Sequence, residues 1–479
     1  MTEPCDLPAV EARRLIGAKQ LSPVDLLASC RARIEAVNPT LNAIPTTCWE
    51  RAETEAKAAE DAVMRGDDLP PLHGLPMGVK ETMVSGGVRT TFGSPIFADN
   101  VPEKDERLVA TARAAGAVAI GKTNVPEFAL GANSSNPVFG STGNPFDPAR
   151  ICGGSSGGSA VALATGMVPV ALGSDTGGSL RTPAAYCGVV GYRPTPGLVP
   201  MSGRATGWSA LSVQGPMGRD VPDTALLLSA IAGCDPVDPL SYPVDPESFL
   251  HLPEIDLSSL RVAVSEDLGF APVDRGIRET FRAAIRDIGS VFGEVVEIDP
   301  PLQDSDKIFA ILRSLQFIDR FRPHYENRRD LLGPNAIANY EEALGYSFAD
   351  AAWAQTQQTM LYRRFVAFMQ DFDILLAPMA AVPPYPVEQL YPTHINGEEL
   401  RSYFHWLGLS YGITNTAHPA ITIPCGLDPT GTPFGLQICG RRYGDRTLLG
   451  ISAALEKHLS TIPARARPLP DIAALSRSA

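Results

Sequence analysis

The stretch Gly153-Gly154-Ser155-Ser156-Gly157-Gly158-Ser159, A-V-A-L-A-T-G-M-V-P-V-A-L (160–172) and Gly173-Ser174-Asp175-Thr176-Gly177-Gly178-Ser179-Leu180-Arg181 sets two glycine-rich turns around one apolar unit. Ala160 to Thr165 is small and apolar enough for a buried helix, and Val168 to Leu172 reads as a buried strand. One short helix plus one strand separates Ser155 from Ser179, a spacing that returns both turns to the same sheet edge. A glycine-rich loop that opens a helix presents backbone NH groups outward, where an anion or a developing oxyanion can sit. A phosphate-binding P-loop requires a lysine after its glycines, and none follows here. Taken alone, the first turn is better explained as a glycine-serine turn packed closely against a strand. Upstream, Pro76-Met77-Gly78-Val79-Lys80 ends a short apolar strand in a lysine, an unusual residue for a buried strand, although an exposed strand end also accounts for it.

Outward from this stretch, helices and strands alternate. Ser22 can cap a helix that carries Leu26, Leu27, Cys30, Ile34 and Val37 on one face as far as Asn38-Pro39. A second helix spans Cys48 to Met64. Arg107 to Ala115 reads as a helix stopped by Gly116, and Ala117 to Ile120 as a strand. Later, Leu260 to Val264, Ile374 to Ala377, Ala420 to Ile423 and Phe434 to Ile438 read as strands, and Thr447 to Leu459 as a closing helix. Such alternation predicts an α/β layer fold. The Pro- and Asp-rich segment 234–259 is read as a long surface connection, because Leu260 to Val264 at once resumes a strand pattern; two independent domains stay open as the alternative, although no compositional break cleanly separates 1–233 from 260–479.

With 479 residues, 44% of them hydrophobic, the chain can bury a large core. Glycine (43) and proline (43) are abundant without a repeating period, which means many tight turns. A net charge of −13 disfavours direct binding to nucleic acid or an anionic membrane and points to a small-molecule partner. Met1 to Arg14 contains Glu3, Asp6 and Glu11 and no apolar leader core, and Ala160 to Gly173 is too short to cross a bilayer, so a cytoplasmic protein is expected. Eight scattered cysteines, read as free and mostly buried, and seven scattered histidines lack metal-ligand spacing, so no metal and no cofactor is expected.

The segments G-V-K-E (78–81), G-K-T-N-V-P-E-F (121–128), G-G-S-S-G-G-S (153–159) and G-S-D-T-G-G-S-L-R-T-P-A (173–184), with P-A-I-T-I-P-C-G (419–426) and F-G-L-Q-I-C-G-R (434–441), resemble the amidase signature family of serine hydrolases. The resemblance runs in order through most of the chain. It implies one large domain over 1–479 with a central mixed β-sheet flanked by α-helices: N-terminal helices at about 7–65, a catalytic core at about 66–233, a variable substrate-facing region at about 300–415, and closing elements at about 416–460. It also implies a catalytic set of Ser179 as nucleophile, Ser155 as relay after a cis peptide at Gly154-Ser155, and Lys80 as base, with hydrolysis through an acyl-enzyme.

A lysine base must be neutral, and lowering its pKa by about three units costs roughly 4 kcal/mol, which burial beside Met77 and Val79 would supply. The backbone NH groups of Thr176, Gly177, Gly178 and Ser179 are expected to hold the oxyanion. Asp175 and Arg181 are expected to brace the turn, and Ser156 to cap the helix start or bond within the site. Lys122, Asn124 and Glu127 are assigned only to the pocket wall.

Three activities follow as alternatives: a stand-alone amidase acting on a small-molecule amide, the glutaminase component (the A subunit) of a glutamyl-tRNA amidotransferase, and a non-catalytic protein that binds anions or nucleotides in its glycine loops. The resemblance implies an acidic residue in the glutaminase component three positions before the glycine of its G-P segment; Ser212 stands there, before Gly215-Pro216. A homodimer is compatible with the family. Phe309, Phe317, Tyr325, Tyr340, Tyr362, Tyr403, Phe404 and Trp406 are expected mostly in the core, with some lining an acyl pocket for aryl or other hydrophobic amides.

Overall fold

In the computed structural model, which describes residues 3–477, eleven strands pair into one mixed sheet. Met1, Thr2, Ser478 and Ala479, which belong to the expected domain and, for the first two, to the stretch Met1 to Arg14 read above, lie outside the described residues. The strands are β1 (Thr46–Thr47), β2 (Pro76–Lys80), β3 (Val118–Thr123), β4 (Val170–Asp175), β5 (Val190–Arg193), β6 (Val213–Gly218), β7 (Arg261–Val264), β8 (Glu294–Glu297), β9 (Ile374–Pro378), β10 (Ala420–Leu427) and β11 (Pro433–Cys439). Across the sheet they run β1-β3-β2-β4-β6-β5-β10-β11-β9-β7-β8. Helices cover both faces, as a sheet buried on two sides requires.

Three neighbouring strands position the site. β2 is parallel to β3 and β4, with Met77 opposite Val170, so the chain leaves β2 at Lys80 and β4 at Asp175 along the same edge. β6 runs antiparallel to β4 and sets Gln214 opposite Ser174. All residues of β2 are buried. The helix Gly157–Ala164 packs onto these strands and is itself buried at every residue, which explains its exclusive use of small and aliphatic side chains.

Several boundaries differ from the sequence reading for local reasons. The first capped helix runs Pro23–Leu41, past Asn38-Pro39; the Asn42 NH still reaches the Asn38 carbonyl at 2.7 Å, and the Asn38 side chain accepts from the NH groups of Ala43 and Ile44. The helix expected from Ala160 already begins at Gly157, so the glycine turn supplies its first residues. β4 starts at Val170 rather than Val168, because Pro169 has no NH for a ladder bond. The segment 234–259 contains only short 3₁₀ turns, at Pro246–Leu250 and Leu257–Ser259, and connects to β7. Among the described residues, no helix is long and apolar enough to cross a membrane.

Gly158 packs directly on backbone beside the ends of β3 and β1: a Cβ there would collide with the Asn124 backbone nitrogen and the Ala43 carbonyl oxygen. Gly158→Ala is therefore expected to destabilise the protein by about 1–3 kcal/mol, the range for overpacked cores, as read by urea unfolding. An unchanged unfolding midpoint would contradict this packing.

Candidate active site

The Lys80 side chain lies wholly inside the protein. Its Nζ is 2.7 Å from Ser155 Oγ, 2.9 Å from Ser156 Oγ and 2.9 Å from Ser174 Oγ, with the Ser174 carbonyl at 3.5 Å. Burial lowers its pKa to about 7, against a smaller upward pull from Asp175. An ammonium has three donors for three hydroxyls; the neutral amine has two donors and a lone pair that one hydroxyl must fill by donating. The surroundings therefore accommodate both protonation states without leaving a polar atom unpaired.

Two backbone features mark the glycine turns. The Gly154-Ser155 peptide is cis. The Ser156 NH donates to the Ser179 carbonyl at 3.2 Å, which holds the nucleophile candidate beside the first turn. Ser156 makes no side-chain cap at the helix start, so its expected capping role is corrected: its hydroxyl is occupied by Lys80.

Asp175 anchors the second turn. Its carboxylate accepts from Arg181 Nε and Nη2, both at 3.0 Å, from Arg193 Nη1 at 3.2 Å and from the Gly178 NH at 2.9 Å. Burial opposes its charge, but the two guanidiniums more than offset that cost and hold its pKa below the usual carboxylate range. Arg181 is tied further to Gln437 Oε1 at 2.6 Å and Thr414 Oγ1 at 3.1 Å. Asp175 and Arg181 thus form a buried ion pair at the second turn.

Of the four expected oxyanion donors, Gly178 is corrected. Its NH is spent on Asp175, and its φ of 106° together with the nearby Ser410 side chain shows why glycine stands there. Among the described residues, the NH groups of Thr176, Gly177 and Ser179 carry no hydrogen bond, and the Ser179 hydroxyl has no protein partner. All three residues, with Ser155 and Ser174, line a cavity of about 560 Å³. The Ser155 and Ser179 hydroxyls share this wall without a hydrogen bond between them.

The opposite wall comes from one face of the helix Ser305–Arg328, including Phe309, Arg313, Phe317, Arg320 and Phe321. Phe309, Phe317, Tyr403 and Phe404 are the expected aromatics that reach the cavity; Tyr325, Tyr340 and Trp406 pack elsewhere, and Tyr362 lines a second, smaller cleft. Lys122, buried and lowered to about 8 by desolvation, donates to the Met83 carbonyl and to Ser85 and Thr90 hydroxyls, behind the loop Thr82–Val84 that lines the cavity. Asn124 bonds Thr142, and Glu127 accepts from Ser94 and the Gly333 NH. None of these three touches Lys80 or Ser179.

Two residues of the site were missed in the sequence. Ser174 supplies the third hydroxyl on Lys80, and its position inside the quoted turn was the available signal. Arg193 ends the buried strand V-G-Y-R, the same pattern of an apolar strand closed by a cation that singled out Lys80.

Serine hydroxyls, a buried low-pKa lysine and unbonded amides are thus gathered beside one cavity, a set of groups suited to acyl transfer. Residues 25–449 match the amidase family, and the chain belongs to that family. It is similar to the A subunit of the glutamyl-tRNA(Gln) amidotransferase of Geobacillus kaustophilus, with 33% identity covering 93% of this chain and 96% of that one. It is likewise similar to an acylamidase of Rhodococcus erythropolis, with 33% identity covering 94% and 95%. A bacterial aryl acylamidase of the amidase signature enzymes superposes with a TM-score of 0.88 at 27% identity, covering 94% of this chain and 96% of that one. The fold class and the amide-hydrolysing activity expected from the sequence stand on these findings.

Removing the Asp175 charge would leave two buried guanidiniums facing each other. Asp175→Asn is expected to cost about 3–5 kcal/mol of stability, the range for breaking a buried ion pair, measured by urea unfolding. A loss under about 1 kcal/mol would show that this network does not hold the turn.

Proposed function

We propose that this amidase hydrolyses a small-molecule carboxamide with Ser179 as nucleophile, Ser155 as proton relay and Lys80 as general base. The observation that carries the reading is the buried Lys80 amine, poised near neutrality and 2.7 Å from the Ser155 hydroxyl. In the acylation step Ser155 passes its proton to Lys80 and takes the Ser179 proton, while Ser179 Oγ bonds to the carbonyl carbon. The oxyanion is held by the free NH groups of Thr176, Gly177 and Ser179. Collapse breaks the carbon–nitrogen bond as the proton returns through Ser155 to the leaving nitrogen, and water then releases the carboxylate by the same route.

A glutaminase role within a tRNA-dependent amidotransferase is the second reading, favoured by the similarity to glutamyl-tRNA(Gln) amidotransferases. Ser212, where that glutaminase is expected to carry an acid, instead bonds Thr176 and Gln316, which weighs against it. A cytoplasmic enzyme acting alone or as a homodimer fits the stand-alone reading; copurifying partner proteins would favour the other.

A fluorophosphonate reagent is expected to attach once, at Ser179, and Ser179→Ala to lose labelling and turnover, the latter on the order of 10⁴-fold or more. No labelling, combined with tight nucleotide binding, would instead support the non-catalytic reading. Because the base must be unprotonated, kcat/KM should fall as pH drops below about 7, approaching tenfold per unit. A profile flat to about pH 5 would exclude Lys80 as base.

A further inference from the structure

We propose that the amide bound here carries a carboxylate remote from the scissile bond, and that Arg320 is the residue that recognises it. This deepens the amidase reading and rests on it.

The chain carries a net charge of −13, yet its cavity is lined by Arg107, Arg204, Arg313 and Arg320 against one carboxylate, Glu106. Most of these charges are already engaged. Arg107 pairs with Asp235 at 2.8 Å, and Arg204 donates to the Ser209 carbonyl at 2.7 Å. Arg313 is buried against the Phe404 ring, 4.3 Å from its centre; it bonds the Tyr403 hydroxyl and has Glu342 at 3.9 Å. The Arg320 side chain alone among the four has neither a hydrogen bond nor an ion pair to any described residue.

Glu106 does not offset this positive wall. Its carboxylate is already engaged, accepting from the Val84 NH at 2.8 Å and Gln214 Nε2 at 2.5 Å. Arg320 lines the cavity and remains exposed to solvent. The same positive field reaches one turn along the helix, where His324 is lowered by burial and then by Arg328 and Arg320.

A free guanidinium at the mouth of a cavity matches the two oxygens of a carboxylate, and a positive cleft in a negative protein draws anions inward. The shape of the site adds a length requirement. Phe309 stands against Gly177 beside the nucleophile, and Arg320 lies eleven residues further along the same helix, about 16 Å of axial rise. Arginine on a helix leans toward the N-terminus, which shortens that span, but it still favours an elongated substrate. Phe128, Phe317 and Phe321 line the interval, with the Arg320 guanidinium 5.9 Å from the Phe321 ring centre, so an aryl spacer suits it.

Binding to the Ser179→Ala protein by calorimetry tests this without requiring turnover. One probe pair is 4-(4-acetamidophenyl)butanoate against 4-butylacetanilide; the other reverses the amide, placing the butanoate or butyl group on the acyl ring of a benzanilide. In at least one pair the carboxylate is expected to bind about tenfold more tightly, as for hydrogen bonds to charged groups. Arg320→Gln in the same background should bring that ratio close to one, and added salt should narrow it. Equal binding in both pairs, or a preference that survives Arg320→Gln, would overturn the inference. Turnover of the neutral probes by the unmodified enzyme reports separately on the amidase reading, so the two can fail independently.

Discussion

Bringing the Lys80 amine out of water sets the terms for the rest of the site. A shift from its ordinary value to about 7 amounts to on the order of 5 kcal/mol against the charged form, a cost that folding of the surrounding sheet and helices must absorb. No neighbouring carboxylate is placed to undo it directly: the closest polar groups are hydroxyls and a carbonyl, which solvate the amine without fixing its charge. The parallel pairing of β2 with β4 puts the amine at the same edge as the second glycine turn, so desolvation and positioning come from one packing arrangement.

Asp175, the buried carboxylate whose charge reaches Lys80, is kept from acting as the lysine's counter-ion. Asp175 faces two guanidiniums and the Gly178 amide, and its charge is consumed in shaping the turn. That turn leaves three amides and the Ser179 hydroxyl unbonded at the cavity wall, on which the proposed oxyanion role rests. A rigid buried ion network on one side and a lysine free of ion pairs on the other divide the labour between structure and chemistry.

The two glycine turns, the strand ending in Lys80 and the small-residue helix were legible because each depends on local sequence: glycine where backbones approach, apolar runs where both faces are covered, a cation where a strand ends. Resemblance supplied the roles, which spacing alone did not. What stayed hidden depended on tertiary contacts. Whether Gly178 offers its NH or spends it follows from where the Asp175 side chain turns, and Ser156 reads as a helix cap until Lys80 is seen beside it. The cationic wall escaped notice because Arg313 and Arg320 lie more than a hundred residues from the turns, on a helix whose cavity face mixes arginine with phenylalanine and carries no motif.

The charge state of Lys80 is the most direct test of this account. Lysine labelled with ¹³C at Cε, followed by NMR across pH 5 to 11 with Lys80→Met for assignment, should show one resonance titrating near 7. If the Lys80 signal instead remains that of an ammonium to above pH 10, the amine is not a base at neutral pH and the proton path through Ser155 to Ser179 has no acceptor.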